Sequence, residues 1–101
     1  MESVSIRAIR LLLFDFLDSI PTNNAIEVGI IKSYYARIMM SSDDDISNFM
    51  NSVIKPRKER ILNKDRMAVL SVIQDIPFTD RINEEKYQCL LEYLIKIVYL
   101  L

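Results

Sequence analysis

The stretch NEEKYQCLLEYLIKIVYLL, residues 83–101, decides the fold class of the chain. Tyr87, Leu90, Leu91, Leu94, Ile97, Val98 and Leu101 recur at steps of three and four, the spacing that lines one face of a helix. Asn83 stands where an N-cap belongs, and Glu84 and Glu85 follow in the first turn, where the helix dipole favours carboxylates. A helix that covers one side of a small domain opposes its apolar stripe with polar residues. This helix departs from that pattern at its end. After Glu92 the only charge is Lys96, and Tyr93, Ile95, Tyr99 and Leu100 leave most of the other side apolar too. Such a segment has to be surrounded, by its own domain or by another chain. The expectation is that Leu90, Leu94 and Ile97 face inward, while Tyr93, Tyr99, Leu100 and Leu101 are partner-binding.

Working outward, every other strong periodic signal is also helical. Over residues 3–20, Ile6, Ile9, Leu13, Phe16, Leu17 and Ile20 repeat at helical spacing, with Leu11, Leu12 and Phe14 widening the stripe. Pro21 ends this helix, because the residue before a proline is pushed out of the helical region. Thr22 or Asn23 is expected to cap a second helix whose inner face is Ile26, Ile30, Ile31, Tyr34, Tyr35 and Ile38, running on to Met39 and Met40. Ser42 caps a short third helix, with Asp43, Asp44 and Asp45 in its first turn and Ile46, Phe49, Met50 and Val53 inward. Pro56 stops it or opens the next turn. Residues 57–62 read as one more short helix. Asn63 is expected to cap a fifth, over 64–76, with Met67, Leu70, Val72, Ile73 and Ile76 inward and Pro77 at its end. The β-branched runs at 28–31 and 95–98 lack strict alternation and hairpin turns, so helix prevails there. The predicted architecture is all-α: a compact bundle of five or six helices forming a single helical domain over residues 1–101.

A chain of 101 residues builds one small core. Half the residues are hydrophobic, so the chain has either a well-filled core or an exposed apolar patch that binds a partner. The lone Cys89 cannot form an internal disulfide, and nothing suggests a secreted framework. The apolar run at 11–14 is cut by Asp15, far short of a signal sequence. A membrane span needs about 20 mostly apolar residues, and the charges within 83–101 argue against one. An intracellular protein, not secreted and without a membrane span, is expected.

The catalytic inventory is thin. The chain has no histidine, which removes the commonest general base near neutral pH and the commonest metal ligand. Cys89 has no partner for a zinc site and no histidine to activate it. Gly29 stands alone, so no phosphate-cradling glycine loop can be written. Asp15 and Asp18 share a helical face but read as solvated charges. The triplet Asp43, Asp44 and Asp45 lacks the alternation, glycine and distal glutamate of a calcium loop. The sequence predicts no enzyme, no catalytic or metal-binding residue, no cofactor and no small-molecule substrate.

Charge is uneven along the chain. Residues 1–54 carry four basic and seven acidic groups; residues 55–66 carry six basic and two acidic; residues 67–101 carry three basic and five acidic. The basic patch consists of Lys55, Arg57, Lys58, Arg60, Lys64 and Arg66. It could contact phosphates in a sequence-blind, salt-sensitive way. No aromatic residue is interleaved for base stacking, and Glu59 and Asp65 interrupt it. Three readings stay open: a solvated helix face, a docking site for an acidic protein or for the chain's own Asp43–Asp45 triplet, and a nucleic-acid site.

Three short phrases carry a resemblance: Ile54-Lys55-Pro56, then Ile61-Leu62-Asn63-Lys64-Asp65, then a final helix opening at Asn83-Glu84-Glu85-Lys86 and closing from Tyr93-Leu94 to Leu101. In these the second half resembles short helical proteins of large nucleocytoplasmic DNA viruses of algae and amoebae. It departs from them in having no tryptophan opening the last helix and no aromatic residue just after Asp65. The resemblance carries over no catalytic residue; it implies a viral protein that works through contacts, such as a virion or assembly component. The sequence therefore predicts a non-enzymatic helical interaction or assembly module, with a protein partner or a homo-oligomer. The alternative is a small nucleic-acid-binding accessory using residues 55–66.

Overall fold

Six α-helices and no strand make up the described residues: α1 Glu2–Ser19, α2 Ala25–Met40, α3 Asp43–Phe49, α4 Lys58–Leu62, α5 Arg66–Val72 and α6 Glu84–Val98. This computed structural model describes residues 2–22, 24–72 and 83–101, with side chains from residue 6 onward. The all-α class follows as expected from the sequence.

Side-chain caps set the starts of α2, α3, α5 and α6. Asn24 accepts the Glu27 N–H at 2.9 Å, and Asn83 accepts the Lys86 N–H at 2.8 Å. Ser42 and Asp45 form a reciprocal capping box, each side chain bonded to the other's backbone N–H. Thus Asn24, rather than Thr22 or Asn23, caps α2; Asn23 lies outside the described residues. From α3 to α4 the helical path is continuous but changes pitch. A π-turn over Met50–Ile54 passes into a 3-10 turn over Lys55–Arg57, with Pro56 inside it. Proline has no N–H to donate and crowds the preceding turn, so the α-helical ladder cannot run straight through it. The Arg57 guanidinium fastens the join, donating to the Val53 carbonyl at 2.9 Å and to the Ser71 hydroxyl at 2.8 Å.

α4 closes on a Schellman motif, with Asp65 N–H bonded to the Arg60 carbonyl and Lys64 N–H to that of Ile61. Lys64 takes the left-handed conformation this requires, at φ 60°. The motif displaces the next helix. Asp65, not Asn63, accepts the N–H groups of Met67 and Ala68 and so caps α5. The register shifts accordingly: Ala68 and Val69 are buried, while Met67, expected inside, is 74% exposed. Ile73, Ile76, Pro77 and the expected loop to residue 82 lie outside the described residues.

The core runs from Ile6, Ile9, Phe16, Leu17 and Ile20 of α1, through Ile46, Met50, Ile54, Ile61 and Val69, to the buried face of α6. Helix α1 packs against α2, α3 and α6, and α6 also receives α4 and α5. The radius of gyration is 13.1 Å, close to the ~13 Å typical of a compact 100-residue domain. The body is flat, 39 × 31 × 18 Å. Its short dimension leaves room for about two layers of helices roughly 10 Å across. An element in such a slab is therefore covered on one side only.

Candidate interaction surfaces

The final helix resolves in favour of its own domain. Lys86, Tyr87, Leu90, Leu91, Leu94, Ile97 and Val98 are all buried. Leu90, Leu94 and Ile97 thus face inward, as their spacing implies. Tyr93 is half-buried and tilts against Phe16 of α1, ring centroids 6.0 Å apart, with the Lys96 ammonium 4.6 Å from its own ring centre. Its apolar ring is therefore engaged within the chain, contrary to the outward orientation read from the sequence, and Ile95 also packs on the core. The open part begins where the helix ends. Tyr99 is 76% exposed, and Leu100 and Leu101 are exposed beside it.

The larger open surface is α2, whose face from Ile26 to Ile38 was expected to be buried. This helix has no buried residue. Ile30, Ile31, Tyr34, Tyr35 and Ile38 lean partly on the core. Ile26, expected inside, is 77% exposed, and Val28, Met39 and Met40 are exposed with it. Two devices hold α2 in place. At its start, the Lys86 ammonium, itself buried, bonds the Glu27 carboxylate at 2.8 Å and ties α2 to α6. At its end, the half-buried Arg10 donates to the carbonyls of Ile38 and Ser41 at 2.7 and 2.8 Å, and to the Asp43 carboxylate at 2.8 Å. One guanidinium thereby serves the negative end of α2 and the acidic start of α3. Nothing in the local sequence around Arg10 signals this, because its partners lie 28 to 33 positions away.

Along one side of the α1–α2 pair, the Phe14 and Tyr35 rings stack at 4.5 Å. The Tyr35 hydroxyl donates to Asp18 at 3.4 Å. Partial burial of the phenol, and then the neighbouring Asp18 and Asp15 carboxylates, raise its pKa above the usual tyrosine value. Next to it a cleft of about 330 Å³ opens to solvent, lined mainly by Leu17, Ile20, Val28 and Ile31.

The basic patch divides in two. Arg57 braces the α3–α4 join, Arg60 pairs with Asp65 at 2.9 Å, and Arg66 pairs with Glu84 at 2.8 Å while lying 4.1 Å over the Tyr87 ring. The Arg60 hydrogen bond, followed by the Ala68 N–H, holds the Asp65 carboxyl below the ordinary aspartate range. Lys55, Lys58 and Lys64 make no ion pair with a described residue. The patch does not dock on Asp43–Asp45: Asp43 is held by Arg10, and Asp45 by the capping box.

Chemistry-bearing groups are scattered. Asp15 and Asp18 are both exposed, and the Cys89 sulfur lies 3.1 Å from the Ser19 hydroxyl. Among the described residues, no group of three potential ligands could hold a metal ion, and no helix is long and apolar enough to cross a membrane. No protein-family model, curated protein or solved structure matches the chain.

Proposed function

We propose that this protein is a non-enzymatic helical interaction or assembly module, working through its apolar surface. The observation that carries the reading is α2, a sixteen-residue helix with three charged side chains and none of its residues buried. A helix apolar around most of its circumference is stable in water only when covered, and here the domain covers one side. Tyr99, Leu100 and Leu101 add a second apolar patch at the end of α6. The resemblance of the second half to short helical proteins of large DNA viruses extends the proposal to a viral structural or accessory role inside the host cell or the virion.

The test is the mass of the native protein after gentle recovery from its source. It is expected to run well above the 11.8 kDa of one chain. It should fall to that value in Met39→Glu/Met40→Glu or Tyr99→Glu variants whose helical content is unchanged. A native monomer without a partner would overturn the reading. The nucleic-acid alternative is weaker, because half of the basic patch is committed to internal bonds. With Lys55, Lys58 and Lys64 left to contact phosphates, its salt dependence would be shallow, a log–log slope no steeper than about −3.

A further inference from the structure

The outer edges of α1 and α2 share one spacing. On α1, Arg7, Leu11, Phe14 and Asp18 stand at i, i+4, i+7 and i+11; on α2, Val28, Lys32, Tyr35 and Met39 do the same. At about 100° per residue, each set stays within roughly 60° of arc and forms a straight line along its helix. The two lines adjoin, joined by the Phe14–Tyr35 stack and the Tyr35–Asp18 hydrogen bond. Together they form one face that is open along its length. Leu11 is 57% and Met39 67% exposed, and Arg7, Asp18 and Lys32 are exposed as well.

We propose that this face is the twofold interface of a homodimer, with a second copy of this chain as its occupant. The inference rests on the interaction-module reading above and specifies its partner. The argument is charge self-complementarity. The α1 line begins on a cation, Arg7, and ends on an anion, Asp18, with Leu11 and Phe14 between them. Laid antiparallel against its own copy, about an axis midway between Leu11 and Phe14, the line sets each Arg7 against the partner's Asp18. It also sets each Leu11 against the partner's Phe14. Both charge contacts are attractive, and the apolar pair is enclosed between them. A parallel arrangement would set Arg7 on Arg7 and Asp18 on Asp18. An isologous interface has to complement itself in this way, with residue i meeting j and j meeting i.

The available area fits a modest dimer. Two adjacent helices about 24 Å long and 10 Å wide present about 480 Å² of projected face. The accessible area is somewhat larger, at or below the ~800 Å² per partner of a standard interface. A reversible dimer with a dissociation constant on the order of micromolar is expected.

Sedimentation velocity on the full chain, from about 1 µM to about 1 mM, tests the proposal. The expected result is a concentration-dependent monomer–dimer equilibrium. Arg7→Glu and Asp18→Arg should each weaken it at least about tenfold, since each reversal acts twice across the twofold axis. An equimolar mixture of the two variants should recover a dimer, because each reversed charge then faces the other reversed charge. Leu11→Glu should abolish the dimer. All three positions are exposed, so circular dichroism should show unchanged helix in every variant.

A monomer across the whole range would overturn the inference, as would failure of the mixture to recover association. A dimer that survives Leu11→Glu but is lost on Tyr99→Glu places the contact at the end of α6. That outcome overturns this interface and leaves the interaction-module reading standing. A monomer in isolation that is found bound to a different chain in native material separates the two in the same way.

Discussion

At Lys64 the backbone adopts φ 60° because the Schellman closure of α4 demands a left-handed residue at that position. A side chain bearing Cβ costs about 1 kcal/mol or more there, and glycine does not. Lys64→Gly is therefore expected to stabilise the fold by about 1 kcal/mol, raising Tm by roughly 4–8 °C in a calorimetric melt. An unchanged or lower Tm would show that the lysine side chain supplies a compensating contact. Nothing in the local sequence distinguishes this turn from a helix start at Asn63. Asn63 instead closes α4, and the cap falls to Asp65, whose carboxylate accepts two backbone N–H groups as well as Arg60. Asparagine and aspartate both suit caps, and only the backbone sign at Lys64 decides which one is used.

At the scale of elements, α2 depends on fastenings at its two ends rather than on burial along its length. The Lys86–Glu27 pair is the inner fastening, with relative side-chain exposures of 6% and 19%. Removing the carboxylate takes a charge-assisted hydrogen bond away from a poorly solvated position. Glu27→Gln is expected to destabilise the fold by about 2 kcal/mol, measured by urea denaturation. The paired change Glu27→Gln/Lys86→Met should recover most of that loss, because a neutral pair carries no charge to desolvate. Additive losses would refute the coupling.

The register of α1 and of α6 up to Glu92 was legible in the sequence because charged residues there oppose the apolar stripe. Ile6, Ile9, Phe16, Leu17 and Ile20 on one helix and Leu90, Leu94 and Ile97 on the other lie where their spacing puts them. Helix α2 offered no such contrast. Ile26, Ile30 and Ile31 are equally apolar, and the choice among them is made by Arg10 and Lys86 from other elements. In α5 the small Ala68 is fully buried and the larger Met67 is exposed, an order that packing and the shifted cap impose against hydrophobicity alone. Tyr93 was misplaced for a related reason: its tertiary neighbour Phe16 lies far away in sequence.

For the whole molecule, one hydrophobic cluster joins α1, the α3–α4 arm, α5 and α6, so the flat body should still unfold as a unit. Ile61 is fully buried within that cluster. Ile61→Ala is expected to cost about 3 kcal/mol and to lower the midpoints of far-ultraviolet and tyrosine signals together. Separate transitions would show that α2 or the α3–α4 arm melts independently.

The packing of α6 on α1 has a further consequence during synthesis. Ser19 and Cys89, side by side in the fold, are 70 positions apart in the chain. The apolar groove of α1 is completed by α6, which is made some 70 positions later, and several buried residues of α1 have no cover from that side until then. A ribosome adding about 5–20 residues per second leaves that groove open for several seconds. Over that interval the nascent chain is a natural client for a chaperone that grips short apolar stretches.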